Sequence, residues 1–304
     1  MSVDVVVVGE TLVDVVRRRD GSVSRHPGGS CANVAVALAR LERRVGLRTQ
    51  IGYDPAGLML GGWLAECGVE VLDGSVSQVP TSHATAVLGD DGSATYDFDL
   101  VWSPGALELP TAGVVHTGSI AAVVEPGARA VRQALLAARD HAVVTYDPNI
   151  RPALTPDRTT TLVAVESLVG VADVVKVSAE DLDWLHPGRD VAAVARDWVE
   201  AGPALVVVTD GGRGAVAFTA HGRRLWIPPV RVEVVDTVGA GDTFMGALID
   251  GLIAAGVEGP EGWDRLVETS DESLRAVLSR CAAAAAVTVS RAGADSPSLA
   301  ELGS

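Results

Sequence analysis

Lysine is almost missing from this 304-residue chain: of its 24 Lys and Arg residues, only Lys176 is a lysine. The arginine excess reads first as a bias of the coding DNA. No glycine-rich loop ends in Gly-Lys-Ser or Gly-Lys-Thr, which excludes a P-loop and its phosphate-cradling lysine. Basic residues are also outnumbered by 39 acidic ones, for a formal charge of −15, so no dense basic stripe is available and nucleic acid is not expected as a partner. The three cysteines, Cys31, Cys67 and Cys281, are far apart and show no metal-ligand spacing. They are expected as reduced thiols in or near the core of a cytosolic protein. The longest apolar stretch, 281–289, is well short of the ~20 residues of a membrane span, and no membrane partner is expected. The chain opens on the strand-like run 3–8 with no basic leader, and a cytoplasmic location is expected. After that strand comes Gly9-Glu10-Thr11 rather than Gly-x-Gly-x-x-Gly, which argues against a dinucleotide-dependent oxidoreductase.

What is present is an alternation of strand-like and helix-like segments. Buried strands are expected at 5–8, 45–51, 114–117, 143–147, 174–177, 205–209 and 216–219, and helices at 32–41, 58–67, 129–141 and 191–200. Apolar β-branched runs separated by helices predict an α/β fold with a mostly parallel sheet covered on both faces and ligands at the carboxyl ends of its strands. With 48% hydrophobic residues, the chain suits one large α/β unit with a small appendage. That appendage is expected from 11–27 and 81–100, where partial period-two alternation flanks the turn Asp90-Asp91-Gly92.

The stretch Asp236-Thr237-Val238-Gly239-Ala240-Gly241-Asp242-Thr243-Phe244 carries the strongest chemical signal. Gly239, Ala240 and Gly241 let the backbone bring its N–H groups close to an oxyanion at a helix start. Asp242 then has two readings: a helix N-cap, or a general base that takes a proton from a hydroxyl. A second constellation, Gly28-Gly29-Ser30-Cys31-Ala32-Asn33, permits close backbone approach to a ligand. It places Asn33, a donor and acceptor, in a first helical turn, where local capping is the plainer reading. Asp14 is either a solvated turn residue or an acceptor for two neighbouring hydroxyls. In Asp147-Pro148-Asn149-Ile150-Arg151-Pro152 two prolines restrict the loop that carries Asn149 and Arg151, the latter able to pair with a phosphate or a carboxylate. Ser178 with Asp181 reads as a capping box, and Thr209, Gly211 and Gly214 as a tight turn.

DTVGAGDTF and GGSCANVA, about 200 residues apart and in the right order, resemble the two signatures of the ribokinase-like (PfkB) sugar kinases. The resemblance runs over the whole chain, 1–304, and implies a three-layer α/β/α domain with a small β-sheet lid over the sugar, the lid also serving relatives as a dimer contact. It implies Asp242 as catalytic base, with Gly239, Ala240 and Gly241 as the anion hole and Arg151 at the phosphates or the sugar. Asp14, Gly28, Gly29 and Asn33 would bind the sugar. ATP would meet Lys176, Ser178, Thr209, Gly211 and Gly214, with an apolar wall for adenine from 282–289. Where many members have Asn-x-x-Glu this chain has Ser178 and Asp181, which leaves the organiser of Mg2+ open between Glu180 and Asp181, acting through water. Backbone near Asp236, Val238 and Gly293 would frame a monovalent cation such as K+. GETLVD, DPNIRP and KVSAEDL are most similar to the fructokinase and 2-keto-3-deoxygluconate kinase branch, so the expected substrate is a small sugar, fructose first, with 2-keto-3-deoxygluconate and ribose as alternatives. A catalytically silent sugar- or nucleotide-binding relative is the rival from another class.

Overall fold

The computed structural model describes residues 3–18, 20–88 and 94–303. The first part of the chain forms β1 (Val5–Val8), β2 (Leu12–Arg17), β3 (Val23–Gly28), α1 (Ser30–Arg40), β4 (Val45–Arg48), β5 (Ile51–Gly52) and α2 (Pro55–Glu66). There follow β6 (Val69–Val71), β7 (Val76–Ser77), β8 (His83–Leu88), β9 (Ala94–Asp99), β10 (Val114–Gly118), α3 (Gly127–Ala138) and β11 (Val143–Asp147). Next come α4 (Arg158–Val169), β12 (Val174–Ser178), α5 (Ala179–Leu185), α6 (Val191–Glu200), β13 (Leu205–Thr209), β14 (Ala215–Thr219) and β15 (Arg224–Ile227). The last helices are α7 (Ala240–Ala254), α8 (Gly262–Glu268), α9 (Asp271–Val289) and α10 (Leu299–Leu302).

Nine strands form one sheet in the order β15-β14-β13-β12-β11-β10-β1-β4-β6, parallel from β13 to β6 and antiparallel at the β14-β15 edge. The central strands are continuous valine-rich runs because both faces are buried, and their alternation decides which helix layer each side chain meets. Val5 and Val7 pack with α1, α7 and α9, whereas Val6 and Val8 pack with α3, α4 and α6. The result is the expected three-layer arrangement. Asp250 of α7 ties the first layer together, accepting from Arg43 Nε at 2.6 Å and from Arg280 Nη1.

A separate four-stranded sheet, in the order β3-β2-β8-β9, is built from 12–17, 23–28, 83–88 and 94–99. The turn Asp90-Asp91-Gly92 lies outside the described residues. Val13 and Val15 on one face pack with Ile51 and Leu60, so α2 clamps this sheet beside the large one. The opposite face carries Asp14, Ala84 and Phe98 in one cross-strand row.

All three cysteines are free thiols. Among the described residues no helix is long and apolar enough to cross a membrane.

Candidate active site

Parallel strands end together, so β1, β10, β11, β12 and β13 deliver Glu10, Gly118, Asp147, Ser178 and Thr209 to one edge of the sheet, where α7 also begins. Gly239, at φ 75°, is the N-cap of α7, and a Cβ there would stand 2.4 Å from Ala294 Cβ. Only glycine meets both demands. Asp242 is the third helical residue and not the cap, and its carboxylate is turned away from its own helix. Oδ1 accepts from Ser30 Oγ at 2.7 Å and Asn149 Nδ2 at 3.2 Å, and Oδ2 from Asn33 Nδ2 at 2.8 Å. The capping reading of Asp242 is therefore overturned. Ala240 N donates to Thr237 O at 3.4 Å and Thr243 N to Gly239 O at 2.8 Å, while the N–H groups of Gly241 and Asp242 stand at the positive end of the helix without a partner inside it.

Three donors from three residues fix this 5% exposed carboxylate. Asn33, expected at sugar hydroxyls, donates its Nδ2 to Asp242. Ser30 is the contributor that motif reading passes over: its Oγ accepts from Asn149 Nδ2 at 2.7 Å while donating to Asp242. Asn149 holds φ 39°, a conformation asparagine tolerates better than most residues. Its loop is anchored from below, because Asp181 Oδ1 accepts from Ile150 N at 3.1 Å. Asp181 is buried and its own N–H donates to Ser178 Oγ at 2.9 Å, which is the serine half of the expected capping box. Glu180, beside it, is exposed.

Lys176 and Asp147 form a buried ion pair, Nζ to Oδ2 at 2.8 Å. Burial works against the Lys176 charge, but Asp147, Asp242 and Asp181 outweigh it and hold its pKa above the ordinary value. Burial pushes Asp147 up to about 6 against the pull of Lys176, with Asp181 and Asp242 adding to the rise. The 2.8 Å contact, with opposite charges buried together, holds the two as an ion pair at neutral pH. Asp147 Oδ1 has no hydrogen-bond partner. A Cβ on Gly241 would lie 2.9 Å from Lys176 Nζ, so the ammonium stands directly behind the glycine turn.

Asp14 lies on the small sheet, with Gly28 close enough that a Cβ there would meet Asp14 Oδ2 at 2.2 Å. Its side chain is open to solvent on one side, yet its crowded surroundings raise its pKa, against the opposing charges of His26 and Arg151. Arg151 is exposed, donates to its neighbour's carbonyl, Ile150 O, at 3.2 Å, and acts electrostatically on Asp14. Gly29 adopts φ 111° with the Glu10 carbonyl beneath it. The glycine pair thus serves close packing of Asp14 and Glu10 at the helix start.

Thr209 sits beside Ser178 in register, and its Oγ1 donates to Val177 O at 3.4 Å. Gly211 has open space around it, whereas Gly214 is needed for packing: its Cβ would stand 2.2 Å from Ile227 O. Asp236 accepts from Val238 N at 3.0 Å and Gly293 N at 2.8 Å, bonds that hold its carboxyl below the ordinary value and bring these three residues together. The segment 282–289 lies in α9, where Ala284 and Ala286 are buried and Thr288 Oγ1 donates to Thr243 Oγ1 at 2.9 Å; much of it packs against α7.

The fold and this constellation define a phosphotransferase of the three-layer α/β/α type without a P-loop. Residues 2–301 match the family model described as pfkB family carbohydrate kinase, and the chain belongs to that family. It is 32% identical over 256 residues to a fructokinase of Rhizobium leguminosarum bv. trifolii, covering 80% of this chain and 78% of that protein. The crystal structure of a fructokinase with bound ATP from Xylella fastidiosa is similar at a TM-score of 0.85 and 28% identity, over 98% of this chain and 97% of that one. A double-mutant fructokinase from Vibrio cholerae O395, in its fructose, ADP and potassium ion bound form, is similar at a TM-score of 0.80 and 26% identity, over 99% of this chain and 98% of that one.

Proposed function

We propose that the protein is an ATP-dependent fructokinase in which Asp242 is the general base. The observation that carries this reading is the buried Asp242 carboxylate, held by Ser30, Asn33 and Asn149 at the mouth of the Gly239-Ala240-Gly241 turn. Asp242 accepts the proton of a primary sugar hydroxyl, whose oxygen forms the new bond to the γ-phosphorus as the bond to the bridging oxygen of ADP breaks. Charge that develops on the transferred group meets the N–H groups of Gly241 and Asp242 and the Lys176 ammonium behind them. Glycine at 241 keeps the turn close to the Lys176 ammonium, whose charge would meet a phosphate oxygen.

Asp14, with Gly28 and Gly29 bringing it close, takes two sugar hydroxyls, and Arg151 beside it serves the sugar end rather than the nucleotide. Ser178, Thr209 and Gly211 line the nucleotide phosphates, and Gly214 shapes that turn. Mg2+ would be held by Glu180 and, through water, Asp181, and would neutralise phosphate charge. The backbone around Asp236, Val238 and Gly293 would take K+, the ion bound in the similar Vibrio cholerae fructokinase. The small sheet acts as a lid that excludes water and as the contact of a homodimer, and three free thiols suit a cytoplasmic protein.

A coupled assay of ADP release over fructose, 2-keto-3-deoxygluconate and ribose tests this reading. Fructose is expected to give the highest kcat/KM. Preference for another sugar corrects the substrate; ligand binding with no sugar-stimulated turnover supports a silent binding protein instead.

A further inference from the structure

Glu10 follows β1 in the Gly9-Glu10-Thr11 turn, and the phosphoryl transfer described so far gives it no task. Its side chain is 6% exposed. Oε1 accepts from Ser30 N at 3.1 Å, at the first residue of α1, and the hydroxyl of that same serine donates to Asp242. Oε2 is buried with no hydrogen-bond partner. An unpaired carboxyl oxygen in such a place is costly, and a fold that keeps one has a use for it or a partner still to arrive. Burial is the main reason its carboxyl is pushed up to about 7, with Asp242 adding to the rise against the pull of its own N–H, the nearby Ser119 hydroxyl and Ser30 N. The titratable groups that face it are Asp242 of α7 and the Cys31 thiol of α1.

Glu10 also lines a cavity of about 260 Å3 with Ser82, Phe98, Trp102, Ile120 and Leu154, and it is the one charged residue on that lining among the described residues. Phe98 shares the small-sheet face with Asp14 through Ala84, and Leu154 follows shortly after Arg151. The cavity therefore lies between the small sheet and the catalytic loop, with Glu10 on its wall and Asp242 one serine away. Trp102 donates its Nε1 to Ala121 O at 3.0 Å, so it walls the cavity and offers it no polar atom.

We propose that Glu10 is a specificity-determining and positioning residue: Oε2 accepts a hydroxyl of the acceptor sugar inside this cavity, while Oε1 holds the start of α1 whose Ser30 hydroxyl orients Asp242. One carboxyl thus connects the fit of the sugar to the aim of the base. The ligand it selects is a polyhydroxylated molecule with a hydroxyl directed at an otherwise mostly apolar wall, a role that rests on the sugar kinase reading.

The test compares Glu10→Gln and Glu10→Ala in the full chain, with fructose or whichever panel sugar the wild-type protein turns over, beside a crystal structure of the sugar complex. Glu10→Gln keeps an oxygen for Ser30 N but sets an NH2, which cannot accept a hydroxyl proton, in place of Oε2. It should raise the KM for sugar by about tenfold or more, leave the KM for ATP unchanged and leave kcat within about threefold. Glu10→Ala should lower kcat as well. The crystal structure should place a sugar oxygen within hydrogen-bond distance of Oε2. A wild-type KM for sugar in Glu10→Gln, or a bound sugar with no oxygen near Oε2, overturns the proposal while leaving the kinase reading intact. No turnover on any sugar overturns both.

Discussion

Ser30 Oγ donates to Asp242 Oδ1 at 2.7 Å across 212 positions of sequence. The same oxygen accepts from Asn149, so one hydroxyl joins α1, the loop after β11 and the first turn of α7. Replacing Ser30 by Ala removes one donor to the carboxylate and one acceptor for the asparagine. Hydrogen bonds to charged groups are worth about 1.5–3 kcal/mol, so kcat should fall roughly tenfold to a hundredfold with the KM for ATP unchanged. Steady-state kinetics with both substrates check this, and an unaltered kcat would remove Ser30 from the site.

Lys176 and Asp147 are separable into a structural and a chemical part. Lys176→Met leaves a buried carboxylate without its counter-ion and should cost about 3–5 kcal/mol in chemical denaturation. Adding Asp147→Asn should return much of that stability, because no unpaired charge remains. Turnover should stay low in the double variant, since the ammonium behind Gly241 is still missing. Recovery of turnover together with stability would assign Lys176 to structure alone.

Glu10 makes stability fall as pH rises. Its carboxyl titrates at 4.5 ordinarily and at about 7 when folded, so between these values the folded chain keeps a proton that the unfolded chain has released. The contribution is complete below about pH 4.5 and is lost above about pH 7, a change on the order of 3 kcal/mol. Unfolding free energies of wild type and Glu10→Gln across this window should diverge, the variant gaining relative stability toward pH 8. Parallel curves would mean that Glu10 ionises as freely as in the unfolded chain.

Gly239 and Gly293 share a left-handed backbone, at φ 75° and 72°, but only Gly239 would clash as alanine. Gly293→Ala should therefore show strain alone, about 1 kcal/mol. Gly239→Ala should lose more stability and, by moving the turn, most of the turnover. Thermal melts and initial rates of the two variants separate strain from displacement; equal losses would contradict the geometry.

Elements with a strong local pattern were legible in the sequence: α6 starts where Asp190 caps an amphipathic run, and β13 is an unbroken apolar stretch. The small sheet was legible from alternation around a hairpin signal. The helix α4 and the edge strand β15 were not anticipated, the first because its opening Arg-Thr-Thr-Thr blurs the helical period, the second because it exposes Trp226. At the site, Asp242 and its glycine turn stood out by chemistry, and Asp236, Val238 and Gly293 did meet. The attachment of Asn33 and Ser30 to Asp242, and the pairing of Lys176 with Asp147, depend on how strand ends converge in space. No local spacing encodes that.

Everything in the proposed transfer turns on Asp242 taking the proton of the sugar hydroxyl. Single-turnover transfer from ATP to fructose by wild type and Asp242→Asn, at saturating concentrations of both, isolates that step. The transfer rate should fall about 10²–10⁴-fold in the variant with nucleotide binding retained. A rate within a few-fold of wild type would mean that Asp242 is not the base.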